Sequence, residues 1–239
     1  MRTINAHINH LLLGLFLVCL SSSVTLFSQE TSPKEQEAAS KEDVPTYFNE
    51  ARDYSNRNQM ELALESLVKA SKLAEKNENF KYLIDSYHKF SLYYLKLEKE
   101  KNSLFYWDRA KALIKEVEYP YGNAVQKFVD AVLQYRAGNN FQAIFLLGEA
   151  KQLSNDRNLY NNISLVEGHI YLTLEKYEAA SKNFNSLIVN TDPFEQQYIS
   201  TQGYLGMAKL NLATENFGES VKNGENALDL AIKNDFFGE

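Results

Sequence analysis

The most constraining feature of this chain is a triplet of small residues, spaced by 12 and then by 7 positions, that recurs between residues 51 and 227. The triplets are Ala51/Ala63/Ala70, Ser91/Ser103/Ala110, Ala131/Ala143/Ala150, Gly168/Ala180/Leu187 and Ala208/Ser220/Ala227. Their starts lie 40, 40, 37 and 40 residues apart. Fourteen of the fifteen positions hold Ala, Gly or Ser, types that make up about a fifth of the chain, so composition alone does not produce the match. Seven residues is two turns of helix, which places the second and third members on one face of one helix. Twelve residues suits the passage from one helix through a short loop into an antiparallel partner. Small side chains at the crossing let the two backbones approach closely.

Larger residues recur around the small ones. Tyr54, Tyr94 and Tyr171 follow the first member by three, with Gln134 and Asn211 as exceptions. Leu67, Trp107, Leu147 and Phe184 follow the second by four, with Gly224 departing. The connections carry turn-forming runs, Ala137-Gly-Asn-Asn140, Leu174-Glu-Lys176 and Thr214-Glu-Asn216. Pro45, Pro120 and Pro193 fall near expected helix starts, and Asp192-Pro-Phe-Glu195 sets out a capping aspartate, an N1 proline and an N3 glutamate in order. No useful length of alternating strand pattern occurs.

This pattern resembles the tetratricopeptide repeat family, most closely in Glu175-Lys-Tyr-Glu-Ala-Ala180 and Glu215-Asn-Phe-Gly-Glu-Ser220. The resemblance spans about residues 44–235, with a period near 40 like that of the longer-helix branch found in bacterial sensor and regulator proteins. It implies an all-α fold, an α-solenoid of antiparallel helix pairs wound as a right-handed superhelix. About five repeats are expected, at 44–79, 80–119, 120–157, 158–191 and 192–235, within an array covering 44–239. Stacked pairs of this kind make a groove lined by the first helix of each unit. By resemblance, the groove positions are Phe48, Arg52 and Asn56; Asp85, His88 and Lys96; Phe128, Tyr135 and Arg136; His169; and Gln202 and Lys209. Aromatics mixed with Arg, Lys and Asn suit capture of a peptide or protein partner. The residues at the family's carboxylate-clamp positions, Phe48, Arg52, Lys89, Val125 and Val129, depart from that clamp, so binding of chaperone tails is not carried over.

The N-terminus reads as an export signal. Arg2, His7 and His10 precede the apolar run Leu11–Leu20, and Ser21–Ser23 follow. Residues 1–28 are expected to be a signal peptide or an N-terminal anchor, with cleavage after Ser23 or Ser28, and 29–43 a flexible linker. The protein is therefore expected to be exported, periplasmic or cell-envelope associated, with a possible membrane tether through that segment. A lipoprotein reading through Cys19 is weaker, because Val18 stands where a small residue is needed.

Chemical motifs are sparse. Cys19 is the one cysteine, so removal of the leader would leave no thiol for a disulfide, a metal or catalysis. His88 and His169 show no metal-ligand spacing, and no phosphate-binding, dinucleotide or nucleophile-elbow motif occurs. The acidic pairs Glu98/Glu100 and Glu116/Glu118 read as solvated surface near helix ends, and Asn162-Ile-Ser164 as a chance glycosylation tripeptide. A net charge of −6 argues against general nucleic-acid binding. The expectation is a binding scaffold, not an enzyme, with no cofactor and no metal. An alternative is the sensory input region of a membrane histidine kinase or transcriptional regulator, lacking its output module. The last helix pair carries no obvious polar cap, and Phe236 and Phe237 are expected to lead into a further unit or toward a partner.

Overall fold

The computed structural model describes residues 43–188 and 194–236, with side chains from Gln197 onward in the second stretch. The expectations for residues 1–28, most of the linker, the Asp192-Pro193 cap and Phe237 lie outside the described residues. Within them the chain is all-helical, with no strand. The helices are α1 Val44–Asn56, α2 Met60–Lys76, α3 Phe80–Lys96, α4 Glu100–Ile114 and α5 Pro120–Arg136, then α6 Asn140–Leu153, α7 Arg157–Thr173, α8 Tyr177–Leu187, α9 Phe194–Ala213 and α10 Phe217–Asn234. Each odd-numbered helix packs most extensively against the even-numbered one that follows it. Successive odd-numbered helices also touch, α3 with α5, α5 with α7 and α7 with α9.

One connection recurs. Asn58, Glu98, Gly138, Glu175 and Glu215 all take left-handed backbone angles, with φ of 61°, 58°, 80°, 56° and 59°. Each stands seven residues after the first small residue of its triplet. In each, the next residue's amide donates to a carbonyl five positions back, as from Gln59 to Tyr54 and from Lys176 to Tyr171, both at 2.8 Å. That is the Schellman closure, which satisfies carbonyls left over at a helix end. Glycine is the residue that adopts this conformation without steric cost, yet only one of the five is glycine. Local preference alone does not set the turn, and the packing of the two helices it joins supplies the rest.

The small residues sit where the helices cross. The first members, Ala51, Ser91, Ala131 and Gly168, are buried on odd-numbered helices, and the second members, Ala63, Ser103, Ala143 and Ala180, on the even-numbered partners. The third members, Ala70, Ala110, Ala150 and Ala227, are buried two turns further along α2, α4, α6 and α10, and Leu187 takes their place on α8. Ala70 packs in a cluster with Val44, Tyr47 and Leu83, so it meets the helix that follows its pair as well as its own partner. The last triplet departs from the expected burial at two positions, Ala208 and Ser220, which are partly exposed. Among the described residues no further helix pair packs beyond α9 and α10 to cover them. Where serine replaces alanine its hydroxyl is satisfied across the crossing. Ser91 Oγ and Ser103 Oγ lie 2.9 Å apart, and Ser220 Oγ donates to the Ala208 carbonyl at 2.9 Å.

Around the crossings the apolar residues form clusters, the largest drawing Ala124, Phe128, Leu147, Ala150 and Ile163 from α5, α6 and α7. Among the described residues three helices begin with a side-chain cap: Asp43 accepts from the Thr46 amide at 2.8 Å, Asn79 from Tyr82 at 3.3 Å and Asp156 from Leu159 at 2.8 Å. Pro45 and Pro120 lie in the first turns of α1 and α5, where a missing amide hydrogen costs nothing.

On the last pair, Leu212, Phe217, Val221, Leu228 and Ile232 are each at least half exposed. Asp235 takes a left-handed conformation (φ 56°), and the chain turns back so that Phe236 is buried with its ring edge-on to Tyr198 at 5.4 Å. Asp235 Oδ2 also accepts from Arg57 Nη1 at 3.3 Å, joining the last helix to the turn after the first.

Candidate functional site

The odd-numbered helices enclose a cavity of about 560 Å³, a size that accommodates a small organic ligand or a few peptide residues. Its lining comes only from α1, α3, α5, α7 and α9. Helix α1 presents Phe48, Asn49, Arg52, Ser55 and Asn56, and α3 presents Asp85, His88, Lys89, Leu92, Tyr93 and Lys96. Tyr121, Val125 and Phe128 come from α5, Asn158, Leu159, Asn161 and Asn162 from α7, and Tyr198 and Ile199 from α9. The small residues of the triplets stand outside this lining. Ala70, Ala110, Ala150 and Ala227 lie on even-numbered helices away from it, and their place is in the packing between helices, not at the site.

Seven of the twelve residues expected in the groove line this cavity: Phe48, Arg52, Asn56, Asp85, His88, Lys96 and Phe128. Tyr135, Arg136, His169, Gln202 and Lys209 do not. Tyr135 packs against the largest apolar cluster, Arg136 and Lys209 are exposed, and His169 meets Phe184 edge-on at 5.2 Å. The reason is a drift along the helices. On α1 and α3 the lining surrounds the first small residue of the triplet. On α5 it lies three to ten residues before it, on α7 six to ten, and on α9 nine and ten. From α5 onward the lining therefore lies progressively further before the first small residue, in the N-terminal halves of α5, α7 and α9, and a fixed offset fails there. Asn49 and Ser55 share a helix face with Phe48 and Arg52, so helical spacing alone could have added them. Asn158, Asn161, Asn162, Tyr198 and Ile199 carry no comparable signal.

The polar wall is built mainly on α3. His88 is 1% exposed, and its Nε2 lies 3.0 Å from Gln126 Oε1. Gln126 Nε2 donates onward to Asp130 Oδ1 at 3.1 Å, and Trp107 Nε1 donates to the same oxygen at 2.6 Å. With the amide nitrogen committed to Asp130, Gln126 offers His88 an oxygen. Nε2 of His88 must then carry the proton, leaving Nδ1 as an acceptor. Burial lowers the imidazole pKa to about 4, so the ring is neutral at physiological pH. One turn earlier, Asp85 Oδ2 accepts from the Tyr119 hydroxyl at 2.7 Å. Burial raises the Asp85 pKa to about 6, outweighing the opposing effects of that hydrogen bond and of Lys89. Asp85 Oδ1 and His88 Nδ1 are buried without a hydrogen-bond partner among the described residues.

The far end of α3 has the opposite character. Lys96 Nζ donates to the Ser55 carbonyl in the last turn of α1 at 2.7 Å, where a helix C-terminus favours a cation. It is open to solvent yet crowded by protein, and desolvation holds its pKa below the ordinary lysine range. Arg52 Nε lies 3.5 Å from Asp53 Oδ1 beside it. Lys89 stands over the Phe48 ring at 5.3 Å, a cation–π contact within the cavity wall. The arrangement offers aromatic faces, carboxamides and separated acidic and basic groups, a set suited to recognition.

Among the described residues no three His, Cys, Asp or Glu side chains are grouped to hold a metal ion, and no helix is long and apolar enough to cross a membrane. No protein-family model matches the chain, and no curated protein or solved structure matches it either.

Proposed function

We propose that this protein is an exported binding scaffold that holds a peptide or protein partner in the cavity lined by its odd-numbered helices. The carrying observation is that α1, α3, α5, α7 and α9 all contribute to one recess of mixed aromatic, carboxamide and charged character. The recurring turn and the buried small-residue triplets support reading the ten described helices as five tetratricopeptide-like repeats stacked as an α-solenoid with right-handed winding. In this reading the chain is not an enzyme, and its chemistry is that of an interface. The N-terminal charged, apolar and small-residue order supports placement in the periplasm or cell envelope.

Affinity capture from the cell-envelope fraction tests the proposal. A Phe48→Ala/Arg52→Glu double variant removes an aromatic face and reverses a charge in the cavity, and is expected to weaken partner binding at least roughly tenfold. A Phe141→Ser/Phe145→Ser variant alters exposed residues of α6 outside the cavity and is expected to leave capture unchanged. N-terminal sequencing of the captured chain is expected to begin after Ser23 or Ser28, or at Met1 if the segment stays as an anchor in the membrane fraction. The opposite pattern of variants, or an intact chain confined to the cytosol, would contradict the proposal.

A further inference from the structure

We infer that the cavity takes a short peptide with a free amino terminus, whose amino group is held between Asp85 and His88. This rests on the proposal that the cavity is the binding site, and goes beyond it by naming the ligand's chemistry and direction. Asp85 Oδ1 and His88 Nδ1 are both acceptors, both buried and both without a donor among the described residues. They stand one helical turn apart on α3, in residues that line the same recess. Neither atom is open to water as the side chains stand, so an entering N–H group reaches them by a side-chain rotation toward the recess, and that exchange relieves the cost of an acceptor buried without a donor. A protonated amine suits the pair best, because it offers three donors and the charge complementary to a carboxylate. Phe48, Tyr121 and Phe128 line the same recess and present surfaces on which a peptide's side chains can be buried.

The opposite end fixes the direction. Lys96 lies eleven residues after Asp85, roughly 16 Å along the helix axis at 1.5 Å per residue. An extended peptide of about five residues spans that distance at about 3.3 Å each. Its carboxylate end then faces Lys96 and Arg52 while its amino end reaches Asp85. Protein tails that end in a carboxylate share the second feature but not the first.

The test uses the full chain and an equimolar mixture of pentapeptides with neutral side chains and free termini, alongside the same mixture N-acetylated. Titration calorimetry is expected to show the free peptides binding at least roughly tenfold more tightly, the loss typical of a charge-assisted hydrogen bond. Asp85→Asn keeps the side-chain shape and the Tyr119 contact but removes the charge, and should abolish the preference. Phe141→Ser should keep it. If Asp85→Asn fails to fold, n-butylammonium chloride supplies a second measurement on the native chain: it should compete with the free peptides more weakly than they bind. Equal affinity for both mixtures, binding of neither, or equal binding of the simple amine would overturn the inference. The cavity proposal would survive each of these results if the Phe48→Ala/Arg52→Glu variant still lost its captured partner.

Discussion

Replacing Phe184 with alanine is expected to lower the unfolding free energy by about 3–5 kcal/mol, a large share of the total for a domain of this size. Its side chain is fully buried, in a cluster with Ala180 and Leu210 and against Leu165, Tyr171 and Met207. The ring occupies space left by missing side chains on both neighbouring odd-numbered helices. A Cβ added at Gly168 of α7 would stand 2.5 Å from Phe184 Cε1, and one added at Gly206 of α9 would also enter the ring. Glycine inside a helix ordinarily costs about 1 kcal/mol relative to alanine. Both positions accept that cost so that Phe184 can seat between them. Gly206→Ala is therefore expected to destabilise by about 1–3 kcal/mol despite its better helix propensity. Adding Phe184→Leu should recover part of the loss, because the smaller side chain vacates the clash. Urea unfolding of the unaltered chain, Gly206→Ala, Phe184→Leu and the Gly206→Ala/Phe184→Leu double variant tests this coupling, and strictly additive effects would refute it.

Acid is expected to destabilise the fold, through two histidines acting against one aspartate. Burial lowers the pKa of His88 to about 4. Burial and the nearby Lys209 do the same for His169, also to about 4. Between roughly pH 6.5 and 4 the unfolded chain binds these protons and the folded chain does not, so stability falls as pH drops. At 1.36 kcal/mol per unit each histidine accounts for about 3 kcal/mol over that window. Asp85 has the opposite sign. Its pKa is raised to about 6, so the folded state binds a proton that the unfolded state releases until about pH 4, and this offsets roughly one histidine. The expected result is a net loss of about 3–4 kcal/mol from pH 7 to pH 4 from these three groups. Asp85→Asn should steepen the loss, while His88→Gln or His169→Gln should flatten it. Unfolding free energies that are flat from pH 7 to 4 in the unaltered protein would contradict this account.

The helix pairs were legible in the sequence because a small side chain at a crossing is a constraint on volume, and volume is written residue by residue. Ala63, Ala143 and Ala180 could be placed against their partners from spacing alone, and all three are fully buried. Ala70, Ala110 and Ala150, two turns further on, are fully buried as well. Glu98, Glu175 and Glu215 were less legible in their left-handed turns, since glutamate rarely adopts that conformation and tertiary packing imposes it. The candidate site was legible only at its near end. Phe48, Arg52 and Asp85 follow from a fixed offset within the repeat. The drift of the lining toward the N-terminal ends of α7 and α9 depends on how each pair is set against the one before, a quantity that accumulates over several interfaces and leaves no mark at one residue. The Arg57–Asp235 contact, 178 positions apart in the chain, is a product of the same accumulation.

Site-specific photocrosslinking tests the central claim, that partners enter the recess lined by the odd-numbered helices, most directly. A photoreactive residue at Asn49 or Asn158 faces that recess, while one at Glu178 or Lys222 stands on the even-numbered helices α8 and α10. The account predicts partner adducts from the first two positions and none from the second two. Adducts formed only from Glu178 or Lys222 would contradict it.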